Sequence, residues 1–179
     1  MILVPDDHWH WMYDEKMDRL LLDLSADMQF ATAYRGKQLT DDVRHSAAFS
    51  LDDTSHYFHL LECIGELPFA EAERVQIVLN AVAAMRYAKP QMPQSWHLQE
   101  FNLLSRPPLL GEVVMLANSF GHADVLVIEP GEKASLCMLL SGELILSEDK
   151  TLHVHQLIKV MNNRIIPYSA VCNGQLRLA

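Results

Sequence analysis

Concentrated positive charge is missing from this sequence. Fourteen Lys and Arg stand against 23 Asp and Glu, a formal net charge of −9, and no run of several basic residues occurs. Phosphate backbones and anionic membrane surfaces are both held through clustered cations, so no nucleic acid and no membrane is expected as a partner. Cysteine is scarce. Cys63, Cys137 and Cys172 are odd in number, far apart and without a CxxC pair, which is no disulfide framework and points to a reducing compartment. No apolar run reaches the roughly 18 residues that a membrane helix needs. The N-terminal MILVPDDHWHW has neither the basic region nor the long apolar region of a signal peptide. A soluble, cytoplasmic chain is therefore expected. Internal repeats and low-complexity tracts are missing as well.

Signatures of catalysis are missing too. Nine histidines invite a test for metal. His8 and His10, like His153 and His155, would share a face of a strand, but zinc needs two further ligands at compatible spacing and no cysteine cluster supplies them. His56 and His59 lack the HExxH pattern of zinc proteases. No GxSxG elbow marks a nucleophilic serine, and no cysteine lies in a motif that lowers a thiol pKa. Pro130-Gly131-Glu132-Lys133-Ala134-Ser135 departs from phosphate-loop spacing and reads as a turn between strands. Asp6-Asp7, Asp41-Asp42 and Asp52-Asp53 read as solvated acids in loops or at a helix cap. The expectation is a chain that is not an enzyme, with no catalytic residue, no metal and no cofactor.

What is present is a patterned 179-residue chain, half hydrophobic and 21% charged, long enough for one domain or two small ones. His8 to Tyr13 alternates with Trp9, Trp11 and Tyr13 on one face, a strand signal. Leu20 to Leu24 and Met28 to Tyr34 return as second and third strands of an antiparallel meander. Trp11 and Tyr13 are expected in the sheet core, and Trp9, nearer the strand end, partly exposed. Arg35 to Ser46 reads as a loop. Ser50 offers a helix N-cap with Asp53 three positions on, followed by Tyr57, Leu60, Leu61 and Ile64 at helical spacing. Ala70 to Ala88 is the longest predicted helix, with Val75, Val78, Leu79, Val82 and Met85 as one stripe and charges that suit its dipole at both ends.

After Trp96 the texture changes. Arg106-Pro107-Pro108 reads as a stiff connection between domains. Beyond it Val113 to Ala117, Ala123 to Ile128, Ala134 to Leu140 and Glu143 to Leu146 are short apolar runs separated by turn residues. Val154 to Asn163 reads as a short helix ended by Pro167, and Gln175 to Leu178 as a last edge strand. The predicted class is α+β: residues 1–100 form a small antiparallel sheet packed with two helices, and residues 101–179 a β-rich, barrel-like domain.

One stretch stands apart, Val78 to His97. Its first half is the end of the long helix and serves the core. Its second half, Lys89-Pro90-Gln91-Met92-Pro93-Gln94-Ser95-Trp96, is stiffened by two prolines and gathers basic, thioether and aromatic side chains in an otherwise acidic chain. Rigid apolar groups beside cations lose little entropy on docking and make good protein-binding surfaces. On the residues alone two readings stay open: a contact surface, or a connection whose Trp96 plugs the core.

Two blocks, PDDxWxWxYDExxDRxxLDL from Pro5 to Leu24 and VLNAxxAxRYxKPQMPxSWH from Val78 to His97, resemble the ZapC family of Z-ring-associated cell-division proteins. A weaker echo runs through Leu126 to Cys137 and Ile158 to Arg164; the loop Arg35 to Ala47 and the last dozen residues do not match. The resemblance implies a monomeric, non-enzymatic factor of two domains, cytoplasmic and at midcell with the Z-ring. It implies direct binding to the tubulin-like GTPase FtsZ, bundling of its protofilaments, suppression of its GTP hydrolysis and stabilisation of the ring. The residues placed at that contact are Arg86, Lys89, Met92 and Trp96, with Tyr87 and Trp9 as neighbours. The alternative is a small-ligand binding protein or cryptic enzyme with a pocket between the two domains. A third reading takes Leu178-Ala179 as a tail recognised by proteases.

Overall fold

A computed structural model describes residues 3–172 and 174. The chain divides into two compact units, Met1–Pro90 and Gln91–Ala179.

In the first unit, β1 (His10–Asp14), β2 (Arg19–Ser25) and β3 (Met28–Ala31) form the expected meander, and a two-residue strand, β4 (Ala47–Ala48), adds to its other edge in the order β3-β2-β1-β4. Trp11 opposes Leu22 and Tyr13 opposes Leu20 in the antiparallel register. Trp11, Leu20 and Leu22 are fully buried. Leu21, on the other face of β2, is buried as well, so alternation places Trp11, Leu20 and Leu22 together while the centre of β2 is covered on both faces. Regular pairing of β3 stops at Ala31, short of the predicted end at Tyr34. The Thr32 amide and hydroxyl both donate to the Leu20 carbonyl, at 3.0 and 2.9 Å, so the segment stays attached while leaving the ladder.

Helix α1 (Leu51–Cys63) begins as its sequence says. The Ser50 hydroxyl accepts from the Asp53 amide at 3.0 Å and the Asp53 carboxylate accepts from the Ser50 amide at 2.9 Å, a closed capping box. Helix α2 (Glu71–Tyr87) is buried well beyond the predicted stripe. Ile77, Asn80, Ala81, Ala83, Ala84 and Tyr87 are inside as well as Val75, Val78, Leu79 and Val82. Small alanines allow this close approach on several faces. The buried Asn80 is accounted for, because its side chain accepts from the Ala33 amide at 2.7 Å and donates to the Gln76 carbonyl at 2.9 Å.

The second unit is built on a five-stranded antiparallel sheet. Its members are β5 (Val113–Asn118), β6 (Gly121–Glu129), β7 (Ala134–Leu139), β10 (Leu157–Met161) and β11 (Ile166–Pro167), in the order β10-β7-β6-β5-β11. A hairpin of β8 (Glu143–Ser147) and β9 (Lys150–His153) forms a separate two-stranded sheet, and α3 (Tyr168–Cys172) follows β11. Both faces of the large sheet are covered. Val114, Leu116, Val125, Val127, Ile158 and Val160 share one core with Leu144, Leu146 and Leu152 of the hairpin. Met115 and Ala117 share the other with Ile166 and Ala170.

Three sequence expectations are corrected in this unit. The β-rich character holds, but the sheet is open, with β10 and β11 at its edges, instead of a closed barrel. The stretch Val154 to Asn163 is a strand at its centre, not a helix. Ile158 and Val160 are buried while Leu157, Lys159 and Met161 are half-buried, which is period two, and Leu157 to Met161 pair with Met138 to Ala134. The boundary lies at Pro90/Gln91, ten residues before the expected one. Residues 91–98 belong to the second unit because Gln94 donates its amide to the Lys159 carbonyl at 2.8 Å and Leu98 joins the sheet core. The Arg106-Pro107-Pro108 segment therefore lies inside the second unit, where Arg106 pairs with Glu112 at 3.1 Å. The predicted strand Gln175 to Leu178 falls outside the described residues.

Candidate partner-contact segment

The segment after α2 is shaped from both sides. Ala88 leaves helical geometry at φ −64°, ψ 134°, and Lys89 donates its amide to the Gln38 carbonyl at 2.9 Å. Pro90, with no N–H and a fixed φ, completes the stop. In the second unit a single 3-10 turn, Ser95–His97, follows the extended stretch from Gln91. Positions three apart in such a turn share a side, and here Ser95 and Leu98 both face inward, at 8% and 4% exposure. The Ser95 hydroxyl accepts from the Met161 amide at 2.7 Å. Trp96, between two anchored residues, is turned outward at 72% exposure, and Met92 stands at 80%. Trp96 does not plug the core.

The other residues named from sequence separate by burial. Lys89 is exposed. Trp9 and Tyr87 are buried at 2% and 3%, so the partial exposure expected of Trp9 is corrected. Both belong to an aromatic cluster in which Trp9 meets Phe49 edge-on at 5.1 Å and Tyr57 at 5.7 Å, while Tyr87 meets Trp11 at 6.0 Å. Edge-on pairs of this kind add about 0.5–1.5 kcal/mol beyond their buried area. Trp9 lies just before β1, yet Phe49 donates its amide to the Trp9 carbonyl at 2.8 Å and closes the chain over it. Arg86 is held inward: one guanidinium nitrogen bonds the Asp53 carboxylate and donates to the Ala48 carbonyl at 3.0 Å, and the group lies over the Tyr87 ring. Arg86 thus ties the end of α2 to α1 and β4.

Ser95 had no particular role in the sequence reading, because a lone serine between glutamine and tryptophan carries no pattern. Removing its hydroxyl leaves the part-buried Met161 amide without this acceptor. Ser95→Ala is expected to cost about 1–3 kcal/mol and to loosen the turn beneath Trp96. Urea unfolding and the anisotropy of tryptophan emission check this; an unchanged midpoint would show that the turn holds without the hydroxyl.

Elsewhere the chemistry is quiet. Burial pushes the Cys137 thiol up to about 12. Burial, then the neighbouring Glu62 carboxylate, raises that of Cys63. Both are protonated thiols at neutral pH. Among the described residues no three His, Cys, Asp or Glu side chains gather as a metal site. A cleft of 460 Å³ in the first unit is lined by Ser50, Asp53, His56 and Arg86, but Ser50 and Arg86 both already bond the Asp53 carboxylate. A cleft of 310 Å³ in the second unit is bordered by Asn162, whose amide already joins Ser135 to the Gly131 and Glu132 carbonyls. No helix among the described residues is long and apolar enough to cross a membrane.

The geometry thus defines a two-unit α+β protein that presents a stiff, exposed, apolar segment at the start of its second unit. The chain belongs to the ZapC family of cell-division proteins. The description "Cell-division protein ZapC, N-terminal" matches residues 2–89 and "Cell-division protein ZapC, C-terminal" residues 90–171, a division one residue from that between the units. The cell division protein ZapC of Tolumonas auensis is 49% identical over 179 residues, all of both chains. That of Aeromonas hydrophila is 44% identical over 93% of each chain, and that of Xenorhabdus bovienii 37% identical over 94% of this chain and 93% of its own. Its role is in cell division.

Proposed function

We propose that this chain is a cytoplasmic Z-ring factor that acts at midcell as a monomer, without catalysis of its own. It binds FtsZ directly, promotes lateral association of FtsZ protofilaments and lowers their GTP hydrolysis, so that the ring is stabilised. Family membership supports the process, and the observation that carries the contact is the outward Trp96 on an anchored turn. The contact residues of this reading are Met92 and Trp96, with Lys89 preceding them in the chain. The first two supply apolar area and the cation supplies steering and register. Arg86, Tyr87 and Trp9 are left out of this contact, because their bonds and ring contacts hold the first unit together.

The proposal is tested by co-pelleting with FtsZ polymerised in GTP. Trp96→Ala is expected to weaken binding at least about tenfold, as for an aromatic hot spot. Met92→Ala and Lys89→Glu have smaller effects, and Lys89→Glu acts most strongly at low salt. Light scattering and phosphate release, measured on the same samples, should lose the bundling increase and the GTPase decrease together. Normal pelleting of folded Trp96→Ala and Lys89→Glu would remove this segment from the contact.

A further inference from the structure

Trp96 is not the only large apolar side chain left in solvent in the second unit. Phe120, in the turn between β5 and β6, is 54% exposed and Ile145, on β8, is 43% exposed. These residues lie on three separate segments, and one side chain ties them together. The Asn118 amide nitrogen donates to the His97 carbonyl at 3.2 Å and to the Ile145 carbonyl at 2.7 Å. Its oxygen accepts from the Phe120 amide at 2.9 Å and the Gly121 amide at 3.2 Å. Two donors and two acceptors are the full hydrogen-bonding capacity used here, and each goes to backbone next to or within the exposed residues. From bond lengths alone, the Cα atoms of Trp96, Phe120 and Ile145 fall within about 10 Å of that amide.

A second bond repeats the connection. Lys150, at the start of β9, donates to the Gln94 side chain, two residues before Trp96. The β8–β9 hairpin buries Leu144, Leu146 and Leu152 in the sheet core, so period two leaves Ile145 on the opposite face, opposite Thr151 in the ladder. At one end of that face His153 meets Glu143 at 2.9 Å. At the other, Glu148 and Asp149 are exposed in the turn beside Lys150. Three exposed apolar residues thus stand on backbone segments that one saturated amide holds within about 10 Å of itself, with charges of both signs on the hairpin. That is the anatomy of a protein-binding surface, and its rigidity lowers the cost of docking.

The geometry points to a single composite contact surface for FtsZ, in which Trp96, Phe120 and Ile145 are the apolar anchors and Asn118 is the positioning residue. This rests on the FtsZ-binding reading above and extends it from one segment to three. The occupant follows from continuity: Phe120 and Ile145 are tied by Asn118 and Lys150 to the segment proposed above for FtsZ, and the mixed rim suits a folded protein surface better than an anionic polymer.

The full chain carrying Trp96→Ala, Phe120→Ala or Ile145→Thr, each folded by circular dichroism, is titrated onto GTP-polymerised FtsZ. Its self-association is followed by sedimentation velocity. All three substitutions are expected to weaken pelleting, Phe120→Ala and Ile145→Thr by about fivefold or more, with a sedimentation coefficient equal to that of the unaltered chain. Loss confined to Trp96→Ala overturns the composite surface and leaves the single-segment contact standing. Loss confined to Phe120→Ala and Ile145→Thr also overturns it, since the anchors would not act together. Loss in none overturns both readings. A change in self-association with unchanged pelleting assigns the face to a second copy of this chain and overturns the inference. Phe120 lies in an exposed turn, so its variant decides the matter even where Ile145→Thr does not fold.

Discussion

Asp53→Ala is expected to lower the stability of the first unit by about 3–5 kcal/mol, the usual effect of removing one partner of a buried ion pair. The carboxylate is 6% exposed and accepts from the Arg86 guanidinium, from the Trp11 indole N–H at 3.2 Å and from the Ser50 amide at 2.9 Å. Alanine would leave a largely buried cation without its anion, a buried indole donor without an acceptor and an open capping box at the start of α1. These three groups join β1, α1 and the end of α2, so the loss is shared by every layer of the unit. The three tryptophans allow the measurement to be confined to it. In a Trp96→Phe background only Trp9 and Trp11 report, and urea unfolding followed by their emission gives the change directly. A loss below about 1 kcal/mol would show that the carboxylate is dispensable. Arg86→Ala should destabilise in the same way and, once refolded at low temperature, leave the proposed FtsZ binding in place. That outcome separates a structural cation from a contact cation.

Val160→Asp is expected to unfold the second unit, at well over about 4 kcal/mol, while Lys159→Asp costs about 1 kcal/mol or less. Val160 is fully buried in the core shared by the large sheet and the β8–β9 hairpin, and a carboxylate there has no partner. Lys159 is one residue away on the other face, half-buried, and loses only a 4.0 Å pairing with Glu129. Amide spectra of the two full-length variants check the pair. Collapse of the resonances of residues 91–172 in Val160→Asp alone supports the strand. Tolerance at Val160 with collapse at Lys159→Asp would require the opposite face to be inside.

The same stretch shows where sequence reading failed and why. Leu157, Ile158 and Met161 lie at i, i+1 and i+4, a spacing that fits a helical stripe. Ile158 and Val160 fit a strand equally well, and five residues are too few for periodicity to choose. The choice is made by β7, whose backbone offers Leu157 to Met161 a ladder, and by Ser95 and Gln94, which bond Met161 and Lys159 from outside. None of these partners is local. The Ala70 to Ala88 helix needed less help, because eleven of the seventeen residues of Glu71–Tyr87 are strong helix formers and a proline stop follows.

The candidate contact segment divides along the same line. Its stiffness, its cation and its apolar groups are properties of the residues, and so they were legible: two prolines fix φ wherever they stand. Exposure is different. Trp9 and Trp96 are the same residue type in similarly polar surroundings, and one is buried by Phe49 closing over it while the other is turned out by the Ser95 and Leu98 anchors. Arg86 and Lys89 are both cations three residues apart, and Asp53 on α1, with the Ala48 carbonyl, draws one of them inward. The sequence by itself determined the α+β class, the first meander, both long helices, the capping box and the family. The tertiary structure alone decided which side chains face solvent, because burial depends on partners brought from tens of residues away.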